Sequence, residues 1–260
     1  MRCAVVGHVE WVEFARVPHW PQAGEIIHAT DVFSEPAGGG AVVARQLARL
    51  AGRCELFTCL GDDDLGRAST RRLAELSLDI HVQHPGISLS TRRAWTHIDH
   101  KGERTITVLG EKLLARGPLP LEGYDLAYFV SGDAAALRSA RSARFLAGTL
   151  REQDTLREAG VPFDLLVGSL NDPGEQYDGS LDANVLVLTD GSNGGTANGK
   201  RFESVEPPGP VVDTYGAGDS FAAALAFALA RGDTLGDALA LASRAGAAVI
   251  TGRGPYTAQL

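Results

Sequence analysis

The stretch "VVDTYGAGDSFAAALAFALARG", Val211–Gly232, joins two valines and a glycine-rich turn to an alanine-rich segment without charge between Asp219 and Arg231. We expect VVDT to form a short strand and a helix to begin at about Gly218. Gly216 and Gly218 allow a sharp turn, and the first amides of a helix have no internal acceptor. Because the helix dipole adds partial positive charge at this end, the turn suits an anion such as a phosphate.

Asp219 lies in the first turn of this predicted helix, and two interpretations of it are open. In the first interpretation its side chain caps the helix, since acidic residues are common in first turns. Alternatively, its carboxylate acts on a ligand that the amides hold. The two glycines and the alanine before it favour the second interpretation, because a helix cap alone does not require them.

The composition is that of a globular protein with room for one large domain. Of 260 residues, 44% are hydrophobic and 22% are charged, with a formal net charge of -8. This acidic balance disfavours a nucleic acid or an anionic membrane as a partner. Cys3, Cys54 and Cys59 lack metal-ligand spacing, so we expect reduced thiols and a cytoplasmic location. No apolar run approaches the roughly 18 residues of a membrane span.

Apolar runs without polar alternation recur along the chain and predict strands that are buried on both faces. They cover residues 3–7, 54–61, 124–132, 163–169, 184–191 and 210–214. Helical patterns lie between them at 41–52 and 65–78, twice within 134–160, and twice after 215. This alternation predicts an α/β doubly wound fold with a mostly parallel sheet.

Two segments, 9–35 and 91–111, have the alternating pattern of strands with one exposed face. They form either an antiparallel edge extension of the main sheet or a small β lid over a cleft.

The segment DTYGAGDSF (213–221) resembles the signature of the ribokinase-like (PfkB-type) carbohydrate kinases. Residues 38–52, 59–80 and 102–110 resemble other motifs of this family, in the same order. The resemblance implies one three-layer α/β/α kinase domain over residues 1–260, with lid segments at about 9–36 and 90–112. It also implies ATP-dependent phosphorylation of a hydroxyl group on a sugar, a polyol or a related small molecule.

The resemblance assigns roles to individual residues at the phosphate end. Asp219 is the expected general base, and the amides of Gly216, Ala217 and Gly218 form the expected anion hole. The expected ATP contacts are Thr189, Gly191, Gly194 and Ser243. Mg2+ is expected at Asp172 or Glu175, although SLND (169–172) departs from the family motif, and K+ is expected near Asp213 and Tyr215.

The substrate end departs from the family pattern at two positions. Val12 stands where the family usually has a sugar-binding aspartate, and Val42 stands where it usually has an asparagine. Glu10 lies two residues before Val12 and therefore on the same strand face, so it is the candidate replacement.

Gly38, Gly39 and Arg93 complete the expected substrate contacts. Four basic residues of the second lid segment are candidates for binding a more polar or anionic group, or else form a solvated lid face: Arg92, Arg93, His97 and His100.

Two alternatives to a sugar kinase stay open: a nucleoside kinase of the same fold and a catalytically silent protein that senses a metabolite. A P-loop enzyme and a Rossmann dehydrogenase are disfavoured, because GxxxxGK[ST] is missing and no GxGxxG follows the first strand. We also expect a homodimer that pairs through the lid strands.

Overall fold

Two sheets organise the chain in the computed structural model, which describes residues 1–85 and 89–260. Its strands are β1 (Cys3–Val6), β2 (Glu10–Arg16), β3 (Asp31–Ala37), β4 (Cys54–Cys59), β5 (Leu78–Gln83), β6 (Arg93–Ile98), β7 (Arg104–Leu109), β8 (Leu126–Phe129), β9 (Phe145–Thr149), β10 (Phe163–Ser169), β11 (Ala183–Thr189), β12 (Gly195–Ala197) and β13 (Lys200–Phe202). Its helices are α1 (Gly39–Ala51), α2 (Asp64–Glu75), α3 (Ala134–Ala140), α4 (Gln153–Ala159), α5 (Ala217–Arg231) and α6 (Leu235–Val249).

The larger sheet has the strand order β13-β12-β11-β10-β9-β8-β1-β4-β5. Its strands run parallel from β11 to β5, and β12 and β13 add an antiparallel edge. Every residue of β1 and of β8 is buried, which explains their unbroken apolar sequences.

Helices cover both faces of this sheet. Leu47 of α1 and Leu225 of α5 belong to the core on one face, and Leu137 of α3 and Leu156 of α4 belong to the core on the other. The predicted three-layer α/β/α fold is thereby confirmed. None of the helices in the described part of the chain has the length and apolar character needed to cross a membrane.

The second sheet, with the order β3-β2-β6-β7, is the lid. Val12 and Phe14 of β2 and Ala94 of β6 are buried on its inner face, whereas Trp95 is 48% exposed on its outer face. Within residues 1–85 and 89–260, the lid and the larger sheet share no strand. The alternative of an edge extension is therefore wrong, and the lid alternative is confirmed.

Two predictions of secondary structure are wrong. Residues 210–214 form no strand, because the amides of Val212 and Asp213 donate to the carbonyl of Ile250 after α6 rather than to a neighbouring strand. The segment 134–160 contains β9 as well as two helices, because its short apolar run FLAGT is buried between β8 and β10.

Candidate active site

A cavity of about 1330 Å3 lies between the carboxyl ends of the parallel strands and the inner face of the lid. His8 follows β1, Arg151 follows β9 and Thr189 ends β11, and all three line the cavity. Glu10 and Ile106 line it from the lid. This position matches the general location of ligand sites in open α/β sheets. Of the predicted site residues, Arg93 and Asp213 do not line it, and of the other basic lid candidates Arg92 does, whereas His97 and His100 do not.

The glycine-rich turn forms the amino-terminal end of α5 inside this cavity. Gly216 is the N-cap residue with φ +81°, a left-handed conformation that favours glycine. A Cβ there would also lie only 3.0 Å from Cγ1 of Val42, whereas a Cβ at Gly218 would meet nothing within 4 Å. Gly216 is thus required by the turn, and Gly218 leaves the helix end open to a ligand.

Asp219 lies in the first turn of α5 and is partly exposed to the cavity. Burial raises the pKa of its carboxyl, and the positive charges of Arg104 and Arg151 oppose that rise. Within the described residues, no group donates a hydrogen bond to it. The carboxylate is therefore free to accept a proton from a ligand, which favours the functional interpretation over a simple helix cap.

Gly39 brings the carboxylate of Asp219 close to the end of β1. A Cβ at Gly39 would lie 3.1 Å from Oδ1 of Asp219, 2.9 Å from Cγ1 of Val130 and 3.8 Å from Cε1 of His8. A larger residue at this position would therefore enter the space between Asp219 and His8.

His8 is held by Ser131, which follows β8. The backbone amide of His8 donates to Oγ of Ser131 at 2.9 Å, and Nδ1 lies 3.0 Å from the same oxygen. Burial and the nearby charges of Lys112 and Arg92 lower the pKa of His8 to about 3. Oγ of Ser131 already accepts a hydrogen bond from the amide of His8, so the hydroxyl hydrogen of Ser131 is available for donation to Nδ1. Nδ1 then acts as an acceptor, which favours the neutral tautomer of His8 with hydrogen on Nε2.

Nε2 of His8 lies 3.6 Å from Oε1 of Glu10, and Nη1 of Arg92 lies 3.2 Å from the same oxygen. Burial raises the pKa of Glu10, while Arg92 and Lys112 oppose the rise. As predicted from strand alternation, Glu10 shares its face with Val12, but Val12 is fully buried in the core. His8, Glu10 and Arg92 thus form one polar wall of the cavity.

A second polar cluster surrounds Arg151 near the end of β10. Its guanidinium pairs with Asp172 and lies 3.3 Å from Oε1 of Glu175. Burial raises the pKa of Glu175, with Arg151 opposing and Asp172 and Asp219 adding to the rise. The positive charge of Arg151 therefore acts on Asp172 and Glu175 and also on Asp219.

The residues predicted to contact ATP lie at the other end of the cavity. Oγ1 of Thr189 donates to the carbonyl of Gly168 at 3.2 Å, and the following residues form a glycine loop. Gly194 has φ +83°, and a Cβ there would lie 2.1 Å from the carbonyl oxygen of Phe202. Ser243 of α6 lines the same region and is 8% exposed.

Arg93 differs from its prediction as a substrate contact, and Asp213 lies outside the cavity lining. Arg93 pairs with Glu13 and does not line the cavity, because successive residues of β6 alternate between the two lid faces. Arg92 takes the position on the cavity wall. Asp213 is 1% exposed, and its carboxylate accepts from the amides of Tyr215 at 2.8 Å and Gly254 at 3.1 Å. These hydrogen bonds stabilise the turn before α5. A K+ site near Asp213 stays a prediction.

Eight charged or histidine side chains that line the cavity were not predicted from the sequence: His8, Lys101, Glu103, Arg104, Lys112, Arg151, Asp190 and Glu206. Arg151 lies in a segment that was predicted to be helical, so its position after a parallel strand could not be predicted. His8 follows the first predicted strand directly, and that position at a carboxyl end was the available signal.

The donors predicted for Mg2+ are Asp172 and Glu175, and Arg151 contacts both. No group of three or more His, Cys, Asp or Glu side chains that could hold a metal is found among residues 1–85 and 89–260. Mg2+ needs few protein carboxylates when phosphate oxygens and water supply its other ligands. The pair therefore fits a Mg2+ that arrives with a nucleotide, and it does not fit one held by protein side chains alone.

Comparison with known sequences assigns the chain to a family. The sequence model of the pfkB family of carbohydrate kinases matches residues 1–173 and 163–260. The chain therefore belongs to this family, and the predicted resemblance is confirmed.

Its relatives include kinases with different named substrates. The chain is 27% identical to the aminoimidazole riboside kinase of Salmonella typhimurium, over 86% of this chain and 84% of that protein. It is 28% identical to a fructokinase of Klebsiella pneumoniae, over 86% of this chain and 88% of that protein. Among solved structures, a ribokinase from Thermotoga maritima has a TM-score of 0.79 at 20% identity and covers 100% of this chain and 96% of that chain. At that identity the structural likeness concerns the fold alone.

Proposed function

We propose that the chain transfers the γ-phosphoryl group of ATP to a hydroxyl group of a sugar, a polyol or a related small molecule. The observation that carries this proposal is Asp219, a carboxylate with a raised pKa beside the amino-terminal end of α5 in a large cavity. Membership of the pfkB family supports the same reaction class.

In the proposed reaction, Asp219 accepts the proton of the acceptor hydroxyl as that oxygen attacks the γ-phosphorus. The new phosphorus–oxygen bond forms while the bond to the leaving oxygen of ADP breaks. The amides of Gly216, Ala217 and Gly218 stabilise the negative charge on the transferring group. Arg104 and Arg151, whose charges already act on Asp219, add positive potential at the same point.

The nucleotide is proposed to lie along the glycine loop after β11, with Thr189, Gly191, Gly194 and Ser243 as its contacts. Mg2+, when bound with the nucleotide, neutralises phosphate charge, and Asp172 and Glu175 are the residues that would hold it. A K+ near Asp213 and Tyr215 would support the turn before α5.

The acceptor is proposed to lie on the other side of Asp219, against Gly38, Gly39, His8 and Glu10. The similarity to an aminoimidazole riboside kinase keeps a nucleoside-type acceptor as the second candidate within the same chemistry.

The test is Asp219→Asn, measured by ADP release with a panel of sugars, polyols and nucleosides. Removing a general base lowers kcat by about 10²- to 10⁴-fold, and we expect ATP binding to persist. Asp237→Asn is the matched control, since Asp237 is an exposed acidic residue in the first turn of α6. Wild-type turnover in Asp219→Asn would refute the mechanism, and binding without turnover by the wild type would favour the sensor alternative.

For assembly, we propose a homodimer in which the lid strands of two copies face each other. The support is the exposed outer face of the lid, on which Trp95 is 48% exposed and Val32 is 64% exposed.

A further inference from the structure

The guanidinium of Arg92 lies on the acceptor side of the cavity without adequate partners of its own. Its Nε and Nη1 are buried, and neither has a hydrogen-bond partner among residues 1–85 and 89–260. The side chain is 14% exposed and lines the cavity. Among the described residues, its one nearby counter-charge is Glu10, whose Oε1 lies 3.2 Å from Nη1 but outside hydrogen-bonding geometry.

This state is energetically unfavourable in the free protein. A guanidinium carries five donors in a planar fork, and a buried donor without an acceptor loses its hydration without compensation. A phosphate or carboxylate group matches that fork with two parallel hydrogen bonds. Arg92 is therefore suited to a ligand that brings its own anionic oxygens.

The backbone around Arg92 is fixed from both sides. The carbonyl of Arg92 accepts from the amide of Trp11 on β2 at 2.9 Å. The preceding residue, Thr91, donates its amide and its hydroxyl to Asp63, each at 2.7 Å. A side chain on such a rigid support is preorganised for binding rather than free in solvent.

A chain of contacts places Arg92 relative to the reacting group. Gly39 separates Asp219 from His8, His8 lies beside Glu10, and Glu10 lies beside Arg92. An acceptor whose hydroxyl reaches Asp219 therefore extends along this wall toward Arg92. The α5 amides and the glycine loop after β11 belong to the opposite end, where the nucleotide is proposed to bind.

Other charges at this end support an anion. Lys112 lines the same wall and pairs with Glu152 through one of its three donors. Lys112 and Arg92 both act electrostatically on His8 and Glu10. His8 is neutral. Among the described residues of this wall, Glu10 is the one acidic group that lies next to Arg92.

We propose that the acceptor carries, besides its reacting hydroxyl, an anionic group that Arg92 binds, either a phosphate ester or a carboxylate. This inference rests on the proposed kinase function and specifies its substrate class.

The test compares anionic acceptors with their neutral counterparts in the intact chain with ATP and Mg2+. The probes are ribose with its 1- and 5-phosphates, fructose with its 1- and 6-phosphates, and sorbitol with gluconate. The phosphate and carboxylate arms distinguish the two sources of negative charge. We expect at least one anionic probe to have a higher kcat/KM than its neutral counterpart.

Arg92→Gln tests the residue itself. Loss of a charge-assisted hydrogen-bonding group should lower kcat/KM for the preferred anionic probe by about ten- to hundredfold and leave its neutral counterpart almost unchanged. Arg93→Gln is the matched control, because it makes the same change one residue away on the outer face of the lid. Thermal unfolding of both variants checks that they fold.

Two outcomes would overturn the inference. If neutral probes are preferred and Arg92→Gln matches the wild type, the anionic class is wrong while the kinase function stands. If no probe is turned over, the proposed function fails, and calorimetry decides the inference separately. Anionic probes that bind the wild type at least about tenfold more tightly than Arg92→Gln would support it, and equal affinities would refute it.

Discussion

At the residue scale, the chemistry of Asp219 depends on two opposed influences. Burial raises the pKa of its carboxyl, and the charges of Arg104 and Arg151 lower it. A general base works best when its pKa lies near the working pH but still leaves it deprotonated. The two arginines therefore keep a buried carboxylate available as a base.

This balance predicts a shift in the pH profile of Arg151→Gln. Removing a positive charge raises the pKa of Asp219, so the base stays protonated to higher pH. The acid limb of kcat/KM should move to higher pH than in the wild type, and kcat should fall by about tenfold or more as charge stabilisation is lost. The measurement is kcat/KM between pH 5 and 9 with a saturating nucleotide.

Arg157→Gln provides the control for that profile. Arg157 also pairs with two carboxylates, Asp154 at 3.0 Å and Asp178 at 2.6 Å, but it does not line the cavity. Its profile should coincide with that of the wild type. An acid limb that stays fixed or moves to lower pH in Arg151→Gln would contradict the assigned coupling.

The residues of the glycine turn were predictable from sequence because their spacing is local. Arg93 was predicted as the substrate contact where the structure has Arg92, because which arginine faces the cavity depends on the exact register of β6, and a shift of one residue exchanges the faces. His8 and Arg151 are brought together with Asp219 only by the parallel order of the strands. No local pattern encodes that order.

At the scale of elements, Asp63 couples α2 to the start of β6. It is the N-cap residue of α2 and accepts from the amide of Gly66 at 2.8 Å. The same carboxylate accepts both hydrogen bonds from Thr91. One side chain therefore caps a helix and fixes the residue that precedes Arg92.

Asp63→Ala should affect stability and acceptor binding together. Loss of a helix cap and of two further hydrogen bonds should lower the free energy of unfolding by about 1–3 kcal/mol. Because Thr91 is released, we also expect KM for the acceptor to rise while KM for ATP stays nearly constant. Urea unfolding and steady-state kinetics measure the two effects.

Asp64→Ala is the neighbouring control. The Asp64 side chain is exposed and pairs only with Arg67 among its described neighbours, so stability and KM should change little. An Asp63→Ala protein that loses stability but keeps the wild-type acceptor KM would show that Asp63 supports the helix alone.

Errors in predicting the elements have physical causes as well. An apolar run of five residues cannot be assigned by periodicity to a strand or a helix, and β9 was missed for this reason. Residues 210–214 have a strand-like composition, but a tertiary contact with the end of α6 takes up the amides of Val212 and Asp213. The long buried strands and the long helices α1, α5 and α6 were predictable, because their patterns extend over many residues.

At the scale of the whole molecule, the lid is connected to the segment that leads into the catalytic turn. Nη2 of Arg16 donates to the carbonyl of Val212 at 2.6 Å, and Oγ1 of Thr214 donates to the carbonyl of Gly102 at 3.0 Å. The amide of Thr214 donates to the same carbonyl at 2.9 Å. A change in lid position therefore acts directly on the residues before Gly216, which links acceptor enclosure to the phosphate site.

The outer face of the lid carries the remaining prediction, the proposed homodimer. Trp95 points away from the cavity, and Val32 lies on the face opposite to Phe33, which stacks on Phe14. Strand β7 is an edge of this sheet and is exposed from Arg104 to Val108. An exposed edge beside apolar side chains is a surface that another strand or sheet can cover.

We therefore expect light scattering at micromolar concentration to give twice the mass of the 27.4 kDa chain. Trp95→Glu should shift the protein to the mass of one chain, because a buried carboxylate at an apolar interface is strongly unfavourable. Leu260→Glu, which places the same charge on an exposed apolar residue outside the lid strands, should leave the dimer intact. A wild-type protein with the mass of one chain, or a dimeric Trp95→Glu protein, would exclude this face as the interface.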